Sequence, residues 1–498
     1  MPTITTYDEI VYLRKSGNCL VAYEKALLVK AEDSSCLWVN NQIGWCLFEM
    51  LKANATVAQS EEFLLRLQEV VDLNNERPLD AFIINNLVWP IRTFVVDCCG
   101  NGISMENLLY RLFGIMQQIP FDSSDENYGI LLGAFVKAKK WNGLKQFVNW
   151  WDLDNIKEKD CQSFKTNDGK TVMSVAEQAY IAFSNILLEE IASKVADECE
   201  VSGFAERLGE VIKKHPEFQY PSYFQAKLLL GIGRKEEAID ALLPFVKKKP
   251  KDYWVWDLLG DAEEDNNLRM SCYCKALSCS GKEKYLRKLH LKLCDLLLGK
   301  EMYNEASAEL VAAITISNSN GWVLPYKYQD YTSESWYQNA DRTLNNSKFY
   351  KKNSRLAEQL SYSDYPLIEI VIVKINTEKR VANFVTTDHK KGFFSCKSID
   401  CKVGESYRCR AENDDKNHYK VYTCEPINGI ERGLVKEFLG QITIMQGGFG
   451  FVDDVYIHPS MINGINDGSF ISGEALPSFN EKKNKWGWSA FHIIKENP

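Results

Sequence analysis

Small residues recur at a fixed interval in the middle of this chain. Ala238, Cys272 and Ala306 stand 34 residues apart, and Ala226, Gly260 and Cys294 repeat that spacing in a second register. Pro216 and Pro250, each ending a basic helical stretch, share the same interval. A helical period of this length restricts the chain to stacked two-helix units, because one unit alone cannot bury its apolar face. The small positions are where the two helices of a unit approach each other, so bulk is excluded there.

Trp256-Asp257-Leu258-Leu259-Gly260 matches the Trp, two residues, Leu, Gly opening of a tetratricopeptide helix. Residues 216–340 are therefore expected to hold tetratricopeptide repeats and a cap rich in Trp and Tyr. Residues 1–215 read as a helical region of degenerate hairpins, with Gly17–Tyr23 resembling an inter-helix turn. Trp141, Trp150 and Trp151 in this region read as packing between helices rather than as a ligand face. Residues 341–364 form a basic linker carrying Arg342, Lys348, Lys351, Lys352 and Arg355, read as a solvated helix.

From Pro366 the apolar period changes from helical to alternating. Leu367–Val373 and Arg380–Val385 flank the hairpin-like connection Asn376-Thr377-Glu378-Lys379, and further short strands follow near 391–394, 406–410 and 419–422. Five short strands in so little chain suit a small barrel over 365–427, and a second set suits another over 428–498. The fold class expected is thus multidomain, α then β: an α-solenoid followed by two tandem small OB-like β-barrels. In the first barrel Phe384, Phe393 and Phe394 are candidates for a stacking surface, supported by Lys390, Lys391 and Lys397, with at least one of the three rings expected in the core.

The second barrel carries Gly447-Gly448-Phe449-Gly450-Phe451-Val452, then Asp454-Val455-Tyr456-Ile457-His458-Pro459. Alternation puts Phe449 and Phe451 on one face of a strand, and Tyr456 and His458 on one face of the next. Such a set either forms an exposed platform for unpaired bases, each of which has a π-face, or fills a barrel core, and alternation alone favours the core.

Charge limits the partners. The chain carries 59 Lys+Arg against 67 Asp+Glu, so nucleic-acid binding has to come from a local patch. Residues 428–498 hold 6 basic and 8 acidic side chains, and 365–427 hold 11 and 9. The 15 cysteines show no framework spacing. With no secretory h-region and no apolar run of membrane-spanning length, a reducing cytoplasm is the expected compartment. Cys396, Cys401, Cys409 and Cys424 make a four-thiolate zinc site conceivable, but none is spaced Cys-x-x-Cys, and no metal or other cofactor is expected. No nucleophile elbow, phosphate loop or HExxH sequence occurs, so no enzymatic activity is expected.

Gly448–Val452 resembles the first RNP motif of the cold-shock domain, Val455–His458 its second, and Gly440-Gln441-Ile442 its opening strand. The resemblance implies an OB-type barrel that stacks single-stranded RNA or DNA on Phe449, Phe451, Tyr456 and His458. The family's first-strand tryptophan falls at Ile444, its lysine at Gly447, and its last aromatic at Pro459. The whole chain is similar to a bacterial family in which tetratricopeptide helices precede cold-shock-like barrels, encoded within TOTE-type conflict systems associated with phage defence. Matching segments include Leu13–Gly17, Val148–Trp151, Leu258–Ala262, Cys272–Leu277 and Trp486-Gly487-Trp488. That resemblance implies a non-catalytic partner of helicase, primase or nuclease components. The alternative is a pure protein scaffold whose barrels dock on a partner enzyme.

Overall fold

The computed structural model describes residues 4–100, 105–166, 168–279, 281–396, 401–413 and 417–495. The chain divides into two compact units, Met1–Phe245 and Val246–Pro498.

The first unit is helical, apart from a two-strand hairpin, β1 (Phe164–Lys165) and β2 (Thr171–Val172). Its core is aromatic: Phe63 stacks on Phe94 with centroids 4.4 Å apart, and Phe135 on Phe147 at 4.0 Å. Trp141 and Trp151 are buried in this packing, and Trp150 lies edge-on to Phe113. Ala81–Gly100 is apolar enough by composition to cross a membrane, an exception to the expectation that no such run occurs. It folds as two helices, Ala81–Asn86 and Val88–Gly100, and half of its most apolar window is buried inside the protein.

The second unit opens with the helices Tyr253–Ala262, Asn266–Ser278, Arg287–Leu298 and Tyr303–Ser319, which pack against their chain neighbours. All six positions of the two 34-residue registers are buried. Gly260 gives the reason: a Cβ there would lie 2.5 Å from Tyr273 Cε1 and 3.2 Å from Cys272 Cβ on the next helix. Substitution would push the two helices apart.

The basic segment after residue 340 is not simply solvated. It forms the short helices Ser347–Asn353 and Arg355–Ser361, both packed on Asn266–Ser278. Glu309, fully buried, accepts hydrogen bonds from Asn346 Nδ2 (2.6 Å) and the Tyr350 hydroxyl, and lies 2.6 Å from His290 Nδ1. A buried carboxylate needs such partners, and these tie the segment to the helices before it. Arg355 then donates to the Cys424 carbonyl at 3.0 Å, joining the segment to the first sheet.

That sheet comprises β3 (Leu367–Asn376), β4 (Val381–Thr386), β5 (Lys391–Ser395), β6 (Ser406–Asn413) and β7 (Tyr419–Ile427), in the order β5-β4-β3-β6-β7. Neighbours are antiparallel, and a parallel bridge from Phe393 to His418 brings the two ends of the order together. Ile370, Val371 and Ile372 are all fully buried, although period-two alternation would bury only every other residue. Ile370 and Ile372 face the sheet's own core, whereas Val371 joins Val385, Leu434, Val435 and Leu476 in a second cluster. The two β regions meet through this cluster.

The second sheet comprises β8 (Lys436–Gln441), β9 (Thr443–Ile444), β10 (Gly450–Val452), β11 (Val455–Ile457), β12 (Phe470–Asn480) and β13 (Lys485–Lys495), in the order β8-β12-β13-β11-β10-β9. Ile442 alone separates β8 from β9, so the two ends of this order are halves of one bent strand. The pairing of β11 with β13 is parallel and the rest are antiparallel. The architecture is therefore a helical region followed by β-sheets.

Candidate nucleic-acid interface

The β10–β11 hairpin is built by three local constraints. Gly448, at φ +77°, makes the turn in which its N–H donates to the Met445 carbonyl, and the Met445 N–H donates to the Phe449 carbonyl. Gly450 lies against the bent first strand, where a Cβ would meet Ile442 Cδ1 at 2.8 Å. The turn between Val452 and Val455 has only two residues, and Asp453 adopts φ +49° to close it.

Alternation then separates the side chains. Val452, Val455 and Ile457 point into the core with Ile442 and Ile471. Phe451 and Tyr456 are directly paired across the strands on the other face, flanked by Thr443 on β9 and Ser489 on β13. Phe449, Phe451 and Tyr456 form one ring cluster, with centroids 5.8, 5.7 and 5.7 Å apart. All three are partly exposed. Alternation alone favours the core reading; here the three rings lie outside the core.

His458 is exposed as well but is held differently. Its Nδ1 accepts from the Ser460 N–H at 3.2 Å and lies 2.8 Å from Ser460 Oγ, capping a short 3-10 turn. This requires the tautomer with its proton on Nε2. Among the described residues no ring contact joins His458 to the other three.

Gly447 stands where the resembled family has a lysine. A Cβ at that position would lie 2.8 Å from Phe449 Cε1, so the ring occupies the space that a longer side chain would need. The charges around the platform are mixed. Asp453 and Asp454 are exposed, and Lys436, hydrogen-bonded to Asp454, holds that carboxyl below its usual range. Asp467 accepts the Ile444 N–H at 2.8 Å. By alternation Lys485 lies on the same face of β13 as Ser489, and it is exposed.

The first sheet does not assemble the stacking surface expected of it. Phe384 and Phe394 are each 1% exposed in its core, where Phe384 packs edge-on to Tyr419 at 5.1 Å. Gly392 is small because Phe384 Cζ would lie 2.5 Å from a Cβ there. Phe384 is therefore a core residue, not a base platform: alternation identifies a face but not its solvent exposure. Phe393 is partly exposed and 5.3 Å from the His418 ring. Lys391 is exposed, but its Nζ sits 4.7 Å from the Phe479 centroid and 5.5 Å from that of Trp486, a cation–π contact with the second sheet. Lys390 pairs with Asp388, and Lys397 lies outside the described residues.

Sequence reasoning missed the junction between the sheets. Val371, Val385, Leu434, Val435 and Leu476 meet there, with Trp486 and Phe491 against them. Gly404, at φ +91°, makes room there: a Cβ would fall 2.3 Å from Phe491 Cε2. The junction covers Leu476 on β12, while the β10–β11 rings remain open. Of the four cysteines that made a zinc site conceivable, Cys396 and Cys401 share a hydrogen bond, and Cys409 lies against Cys424. Among the described residues no group of three or more His, Cys, Asp or Glu side chains could hold a metal ion.

No curated protein matches the chain. Residues 219–357 match a family described as a domain of unknown function (DUF7017). The sheet that carries the three rings is more informative: residues 436–493 match the S1/CSD-like domain 2 of the TOTE conflict systems, the family that this part of the chain resembles.

Proposed function

We propose that the chain is a non-catalytic component of a defence-type complex, in which the second sheet engages single-stranded RNA or DNA by stacking. The observation that carries this reading is the cluster of Phe449, Phe451 and Tyr456 on the outer face of β10 and β11. Counting β8–β9 as one strand, these are the second and third strands of the sheet, the face that OB barrels use for oligonucleotides. The strand order closing through Ile442 supports that barrel assignment, and the β5–β7 bridge supports one for the first sheet. The two buried 34-residue registers support tetratricopeptide-like stacking, with a protein partner on the helices; by resemblance that partner is a helicase, primase or nuclease component. Fluorescence anisotropy with labelled single-stranded oligonucleotides tests the nucleic-acid half. Binding is weak, salt-sensitive and insensitive to sequence, and is lost in the Phe449→Ala/Tyr456→Ala double variant.

The second reading is a protein scaffold whose barrels dock without nucleic acid. It is favoured by Asp453 and Asp454 beside the platform and by the missing lysine at Gly447. Oligonucleotide binding absent even at low salt, with the helicase, primase or nuclease partner still retained, would decide for it.

A further inference from the structure

Cys409 and Cys424 face each other directly across β6 and β7. Their sulfurs are 3.4 Å apart, with the Cys409 thiol donating. Directly opposed residues of an antiparallel pair have Cα atoms roughly 4.5–5.5 Å apart, inside the span of about 4.4–6.8 Å that a disulfide bridges. Both are free thiols in this structure, so bond formation needs only a small movement of the side chains. We propose that Cys424 and Cys409 form a peroxide-oxidisable thiol pair, with Cys424 the attacking and Cys409 the resolving sulfur.

The roles follow from access and environment. Cys409 is fully buried in the first sheet's core. Cys424 is half-buried and lines a cavity of about 580 Å3 together with Arg355, Glu405, Ser406 and Tyr407. A small oxidant can therefore reach Cys424 first. The hydrogen bond from Cys409, helped by the Arg355 guanidinium, favours the Cys424 thiolate; that same hydrogen bond, with burial, holds Cys409 protonated. At three buried cysteines burial works against reaction: Cys46 and Cys98 are pushed up to about 12, and Cys161 to about 11.

In the first step the Cys424 thiolate attacks hydrogen peroxide: an S–O bond forms, the O–O bond breaks, and the leaving hydroxide takes a proton to become water. The Cys409 sulfur then attacks the Cys424 sulfenic acid. The S–S bond forms, the S–O bond breaks, and the Cys409 proton leaves with that oxygen as a second water. Two thiols lose two electrons, and one peroxide is reduced to two waters. The product covalently joins β6 and β7 beside the register shift at Arg410/Ala411, and beside the carbonyl that holds Arg355.

The test is a peroxide titration of the full-length protein, with free thiols then blocked by N-ethylmaleimide and disulfide-linked peptides quantified by mass spectrometry. The Cys409–Cys424 link is expected at a peroxide concentration about tenfold below that needed for any other cysteine pair. In Cys409→Ser, dimedone is expected to trap a sulfenic acid at Cys424. The wild-type peptide map stands alone if that variant does not fold. A link no more frequent than other pairs overturns the proposal, as does first oxidation at another cysteine. Stoichiometric zinc in the purified protein, with both thiols shielded from N-ethylmaleimide until it is removed, overturns it too.

Discussion

Tyr456→Ala is the most direct probe of the platform. Tyr456 pairs with Phe451 across the hairpin and touches both other rings at 5.7 Å, so its loss opens the middle of the cluster. Because the ring lies outside the core formed by Val452, Val455 and Ile457, the sheet should remain folded. Base–aromatic stacking is worth about 1–3 kcal/mol per base on alanine substitution. At 1.4 kcal/mol per decade, this becomes a roughly 5- to 150-fold rise in Kd. The assay is anisotropy of a labelled single-stranded oligonucleotide across a salt series, with circular dichroism as the folding control. The ring neutralises no phosphate, so the slope of log K against log salt should not change, whereas Lys485→Ala should make it shallower by about 0.7. A folded Tyr456→Ala protein that binds within twofold of wild type would refute the stacking assignment. A changed salt slope would show that the effect travels through charge rather than through the ring.

Further outcomes follow from packing and burial. Phe384→Ala should cost about 3–5 kcal/mol in urea unfolding of the C-terminal unit, the usual range for emptying a phenylalanine site. Phe393→Ala, at a partly exposed ring, should cost much less. Gly260→Leu should lower the thermal midpoint and the helical circular dichroism signal, since even a Cβ would stand 2.5 Å from Tyr273 Cε1. Burial raises the Glu177 carboxyl above its ordinary 4.5, against the Gln219 and Tyr220 N–H donors that favour the ionised form. A raised folded-state value means stability present below 4.5 is lost as pH rises through it. In Glu177→Gln that loss should disappear, so exchange of the 219–220 amides should vary less between mildly acid and neutral pH than in wild type.

Much of the helical and strand organisation was legible because it is local. The change of period at Pro366, the hairpin after Asn376 and the small residues at 226, 260 and 294 are each set by neighbours in sequence. Alternation likewise placed Phe449, Phe451 and Tyr456 beside one another, since cross-strand pairing in a two-residue hairpin leaves little choice of register. The same rule failed at Phe384. Its strand alternates as regularly, but one face turns to the sheet's own core and the other to Val371, Leu434 and Leu476.

By itself the sequence determined where helices give way to strands, which positions of the helical repeat must be small, and which rings share a face, because these depend on periodicity and steric exclusion over a few residues. Only the tertiary structure decided which faces meet water. It buried Phe384, left the β10–β11 rings open, set Lys391 over Phe479 and Trp486, and brought Cys409 against Cys424. Each outcome depends on segments distant in the chain removing apolar surface from water together, and no local pattern records which segments those are.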